Sequence, residues 1–145
     1  MNMPPRTPAL LTMLGTAPFI IGAVGAHSNV ILTLLPYFSV ETVINYGIII
    51  LSFLTGILWG FAVKAPKSKS SFAYILSVLP ALYVFFFVAG TNANKLDMLM
   101  FGFTVLLAID LFFQRIALAP AWWMTLRIPV SMVVLFALLT TRINV

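Results

Sequence analysis

Between Glu41 and Lys64 the chain runs 22 residues without a charged side chain, and between Lys69 and Lys95 it runs 25. A helix rises 1.5 Å per residue, so such runs match the roughly 30 Å hydrocarbon layer of a bilayer, which takes about 20 helical residues to cross. No water meets the backbone inside that layer, and a crossing segment must satisfy its own peptide groups by coiling or by closing a barrel. Barrel strands alternate apolar and polar residues over about ten positions. These runs are apolar on every side, which selects helices.

Composition agrees. Of the 145 residues 62% are hydrophobic and 8% charged, against about 45–50% and 25% in a soluble domain. A globule of this size leaves roughly a third of its unfolded surface exposed, so in water the chain would carry large sticky patches. The net charge of +5 comes from single Lys and Arg residues at the ends of apolar runs, a pattern that marks topology and gives no reason to expect a nucleic-acid partner. The absence of cysteine excludes disulfides, thiolate metal sites and Cys nucleophiles. No small-x-small cleavage site follows Met1-Asn2-Met3-Pro4-Pro5-Arg6, so the first apolar segment is expected to be a retained span.

The expected architecture is all-α, a polytopic membrane bundle in a single domain. Its five spans fall at about 9–26, 42–63, 71–90, 97–115 and 124–142. His27-Ser28-Asn29 interrupts the first run, and residues 28–40, too few to cross again, are expected to form a short interfacial helix. The fourth and fifth spans are long enough only if they draw Asp110 and Arg127 to the hydrocarbon edge. With five spans, Arg6, Lys64, Lys67, Lys69, Arg115 and Arg127 share one side, and Lys95 and Arg142 the other. Positive residues are retained on the cytoplasmic face. The expected orientation is therefore N-terminus inside and C-terminus outside, in a bacterial-type inner membrane.

Few residues carry chemistry. At 100° per residue Asn45, Ser52, Gly56 and Trp59 fall within about 60° of arc, with Gly60 beside them. That face suits close helix packing through Ser52, Gly56 and Gly60, or a cavity wall in which Asn45, Ser52 and Trp59, with Asp110, contact a lipid, quinone or small ligand. In the first span Gly15, Pro18, Gly22, Gly25 and Ala26 share about 100° of arc, and the two smooth faces are expected to touch. Pro18, Pro80 and Pro129 each remove a backbone donor and are expected to kink or loosen their helices.

A lone charge near hydrocarbon costs at least about 2.5–3.5 kcal/mol and is expected to find a partner. Asp110 and Arg127 are therefore expected to pair and to tie the fourth helix to the fifth, with Gln114 placed to join at i,i+4. His27 has too few neighbouring ligands for a metal or haem, although Glu41 flanks the same loop. Trp122 and Trp123 suit an interfacial belt. No Ser-His-Asp order, paired catalytic acids, phosphate loop or HExxH occurs. Neither an enzymatic activity nor a cofactor is expected.

Three stretches carry a family pattern: Tyr46 to Gly60, with Ile50-Leu51-Ser52-Phe53-Leu54 leading to Gly56 and Trp59-Gly60; Ser77-Val78-Leu79-Pro80-Ala81; and Pro120-Ala121-Trp122-Trp123 followed by Leu126-Arg127-Ile128-Pro129. In these the chain resembles an uncharacterised bacterial membrane family that includes mitochondrial transmembrane protein sixty-nine. The resemblance extends from about residue 10 to 140 and departs at Leu58, where many members of the resembled family carry a histidine before the Trp-Gly pair. It implies a small helical inner-membrane protein without assigned activity, and a ligand held by that histidine would be lost here. The leading expectation is a non-enzymatic membrane protein acting through helix packing, homo-oligomerisation or association with a membrane complex, in contact with membrane lipids. The alternative is a small transporter or a lipid- or quinone-binding protein, which requires an opening between the first, second and fourth spans.

Overall fold

The first hydrophobic run does not form one continuous helix. The computed structural model describes residues 3–145, and the side chains of all of these except Asn29, Ile31, Leu32 and Lys69. It divides the run into α1 (Arg6–Leu14) and α2 (Ala17–His27), with a break at Gly15 and Thr16. Pro18 sits in the first turn of α2, where its missing N–H is harmless and its fixed φ suits a helix start. The carbonyls released at the break find donors: the Thr16 hydroxyl donates to Met13 O at 2.7 Å, and the Tyr46 hydroxyl reaches across from the second span to Gly15 O at 2.8 Å. A break inside hydrocarbon is tolerable when its polar groups are met in this way.

A short helix, α3 (Asn29–Leu34), follows the first span. Then come α4 (Val40–Val63), α5 (Lys67–Phe87), α6 (Asn92–Arg115) and α7 (Trp123–Ile143). Every element among the described residues is helical, and five segments are long and apolar enough to cross a membrane: Arg6–His27, Val40–Val63, Ser70–Phe87, Asn92–Arg115 and Trp123–Ile143. The expected boundaries shift by a few residues. The fourth helix starts at Asn92, earlier than expected, because the Thr91 side chain caps it by accepting from Asn94 N; Ser39 caps α4 through Thr42 N in the same way. The third ends at Phe87, before Gly90 turns the chain with φ +91°. Helices α5 and α7 run through Pro80 and Pro129 without ending.

Large hydrophobic side chains cover the outside. Phe85 is 79% exposed and Phe136 72%, values that in water would mark aggregation but here present the bundle to acyl chains. Inside, α6 is the hub: Leu96, Leu99, Phe103, Leu106 and Phe113 are buried against α4, α5 and α7. Close approach is made by Gly22, Gly47 and Gly102. A Cβ on Gly22 would overlap Val43 of α4, one on Gly47 would lie 3.0 Å from Leu99 of α6, and one on Gly102 would lie 2.8 Å from Leu51 and 3.2 Å from Tyr83. Gly56 and Gly60 have nothing within 4 Å. The expected packing face on the second span is thus corrected. Gly22 meets that span near its N-terminal end, while Gly56 and Gly60 face outward.

Candidate functional site

Below the break the first span leaves the bundle incompletely filled. Helix α2 buries Phe19, Gly22, Ala23 and Gly25, whereas α1 buries nothing and rests against α7. The result is a cavity of about 360 Å³, within the usual range of small-ligand sites. Its walls are Thr7, Leu11 and Thr12 of α1, Phe19 of α2, Ile50, Phe53, Leu54 and Ile57 of α4, Phe103 of α6, and Trp123, Leu126, Arg127, Val130, Ser131 and Val134 of α7. Among the described residues Arg127 is the one charged residue in that wall.

Arg127 lies one turn into α7 and is 3% exposed. Its Nε donates to Asp110 Oδ2 at 2.7 Å, and Trp123 Nε1 donates to Asp110 Oδ1 at 2.8 Å, so both carboxylate oxygens are engaged. Trp123 also lies under the Arg127 guanidinium, 5.9 Å from ring centroid to Cζ, and packs edge-on against Phe61. Charge is thereby balanced and the carboxylate satisfied, as burial in a low dielectric demands. The guanidinium is not fully satisfied. Among the described residues, Arg127 Nη2 and the Ser131 hydroxyl are buried without hydrogen-bond partners. They belong to residues one helical turn apart in the same cavity wall.

The residues singled out from sequence divide sharply. Asp110 and Arg127 meet, but Asp110 stands behind Arg127 and Trp123 and is not part of the cavity wall. Asn45 and Trp59 are exposed, Ser52 is half-buried, and none of the three lines the cavity; Trp59 instead packs on Tyr74 at 4.7 Å between centroids. The opening does lie beside the first, second and fourth spans, but on another face of the second, with the fifth supplying Arg127 and Ser131. Gln114 turns away from Asp110 and donates to Ala121 O at 2.7 Å. Trp123 is buried in the ion-pair network, whereas Trp122 is half-buried beside it. Leu58, at the departure from the resembled family, is fully buried core.

At the other end of the same two helices Arg142 Nε donates to Asp97 Oδ1 at 2.9 Å, and His27 Nε2 shares a 3.0 Å hydrogen bond with Asn144 Nδ2. Sequence reasoning placed Arg142 as a topology marker and missed this pair. The signal was available: in an antiparallel α6/α7 hairpin the Asp110–Arg127 pairing sets a register that brings Arg142 opposite the first turns of α6. No group of three or more metal-ligating side chains occurs among the described residues.

An all-helical chain with five bilayer-length segments, a greasy exterior and a buried charge pair between two of its helices has the construction of a multi-pass membrane protein. The model of a family described as protein of unknown function (DUF3429) matches residues 4–143, and the chain belongs to that family. No curated protein and no solved structure matches it.

Proposed function

We propose that this protein is a non-enzymatic, multi-pass membrane protein that holds a lipid-like amphiphile in the cavity between α1, α4 and α7. One observation carries the reading: a largely apolar cavity has, on two residues of one stretch of its wall, a buried guanidinium nitrogen and a buried hydroxyl without partners. Unpartnered buried polar atoms are costly in a low dielectric, and a ligand that supplies an acceptor removes the cost. The charge distribution supports an N-terminus in the cytoplasm, which sets the cavity toward the cytoplasmic leaflet, beside the loop of Lys64 and Lys67. A bacterial-type inner membrane is the location that fits this distribution and the motif resemblance to an uncharacterised bacterial membrane family.

The test is native mass spectrometry of the protein released from nanodiscs made of its own membranes. The wild type is expected to carry a bound amphiphile, and Ile57→Trp, which fills the cavity, is expected to lose it while keeping its helical content. A wild type that flies bare under conditions that retain annular lipid would overturn the proposal.

A second reading has its own support: Gly56 and Gly60 present open space on the outside of α4, with Asn45 and Trp59 exposed on the same helix. Such a face suits association with a second copy or another membrane protein. Since the chain has no cysteine, Gly56→Cys gives a single reporter. A disulfide-linked dimer in native membranes favours this reading, and the absence of any crosslinked product removes it.

A further inference from the structure

Resting on the cavity reading above, we infer that the ligand's headgroup is an uncharged carbonyl acceptor, whose oxygen is held between Arg127 Nη2 and the Ser131 hydroxyl. The inference follows from counting charges and donors. Among the described residues Arg127 is the only charged one in the cavity wall, and its charge is already balanced by Asp110 at 2.7 Å. An anionic headgroup placed beside that pair would leave a net negative charge out of water, the situation buried ion pairs exist to avoid. A neutral acceptor adds no charge.

The unpartnered atoms are an N–H donor and a hydroxyl, and a carbonyl oxygen has two lone pairs with which to accept from both. A phosphate would bring three or more acceptor oxygens to a pair of unpartnered buried donors. The same cavity wall contains Leu126, Val130 and Val134 of α7 with Phe103 of α6 and Phe19 of α2. Those side chains suit a ring or the start of an acyl chain. The tail leaves past α1, which buries no residue of its own. Two membrane components bear such a carbonyl on a long apolar tail: a quinone, through its ring, and a neutral glycerolipid, through its ester.

The experiment measures binding to the protein in detergent with four probes sharing comparable tails: decylbenzoquinone, dioctanoylglycerol, decyl phosphate and decylbenzene. One of the two carbonyl probes is expected to bind at least ten-fold more tightly than both decyl phosphate and decylbenzene, and which one identifies the source. Ser131→Ala is expected to weaken that probe about five- to ten-fold, the usual scale of one lost hydrogen bond, and to leave decylbenzene unchanged. Ser131→Thr, which keeps the hydroxyl, is expected to restore binding. Decyl phosphate as the tightest probe, or a carbonyl probe no tighter than decylbenzene, would overturn the inference while leaving the cavity as an apolar site. Failure of all four probes would take the cavity reading down as well. Because Ser131 has no hydrogen-bond partner to lose, its replacement tests the site without opening the Asp110–Arg127 pair.

Discussion

Arg127 Nε lies 2.7 Å from Asp110 Oδ2 with both side chains almost wholly buried, so the last turns of α6 are tied to the first turns of α7 by a charge pair out of contact with water. Removing one partner leaves the other charge uncompensated. Asp110→Asn and Arg127→Met are each expected to lower stability by about 3–5 kcal/mol. The double variant is expected to recover to within about 1–2 kcal/mol of wild type, because two neutral side chains need no compensation. Denaturant unfolding in mixed micelles measures all three. A double variant as unstable as the sum of the singles would show that the pair is not coupled.

Asp97 and Arg142 form the matching contact at the opposite end, but their side chains are 45% and 35% exposed. Exposed pairs contribute little, and Arg142→Gln is expected to cost under about 1 kcal/mol. Its effect is also expected to shrink as salt rises, since exposed charges are screened. The same unfolding assay at two ionic strengths separates this weak outer pair from the salt-insensitive inner one.

Glycine position decides the outcome of glycine replacement. Gly102→Ala drives a Cβ to within 2.8 Å of Leu51 on the neighbouring helix, and a stability loss of about 1–3 kcal/mol is expected from overpacking. Gly56→Ala and Gly60→Ala place a methyl in open space, where reduced backbone freedom is expected to leave the monomer unchanged or up to about 1 kcal/mol more stable. Thermal midpoints of the three variants in one detergent give the comparison directly.

Ala117 closes the end of α6 with φ +61°, a left-handed conformation that strains any residue with a Cβ. Its carbonyl neighbours are drawn into a tight turn in which Leu118 N and Ala119 N both donate to Phe113 O. Ala117→Gly is expected to raise stability by about 0.5–1 kcal/mol, the relief of strain exceeding the entropy that glycine adds to the unfolded chain. A lowered melting midpoint would contradict this.

The Asp110–Arg127 contact was legible in the sequence because isolated charges near hydrocarbon have few ways to be satisfied, and α6 and α7 each carry one of opposite sign at the same membrane edge. The glycine faces were not. In water an apolar stripe points to the core, but lipid and protein interior are equally apolar, so periodicity does not say which side of a membrane helix packs. Gly56 and Gly60 have the spacing of a packing motif and face outward, while Gly47 and Gly102, which carry no such spacing, hold the bundle together. The break at Gly15 and Thr16 was hidden for a related reason: Pro18 announces a disturbance, but whether it bends, loosens or ends a helix depends on whether a donor such as Tyr46 stands nearby to meet the freed carbonyl.

By itself, then, the sequence determined the number of spans, their approximate extents and the pairing of their deepest charges, because bilayer thickness and the cost of unpaired charge act on any chain that crosses. Tertiary structure alone decided where space is left over. The cavity lies beside the interruption between α1, which buries nothing, and α2, and Arg127 and Ser131 line it because of how α7 is rotated. That rotation is fixed by contacts among four helices, and no single segment encodes it.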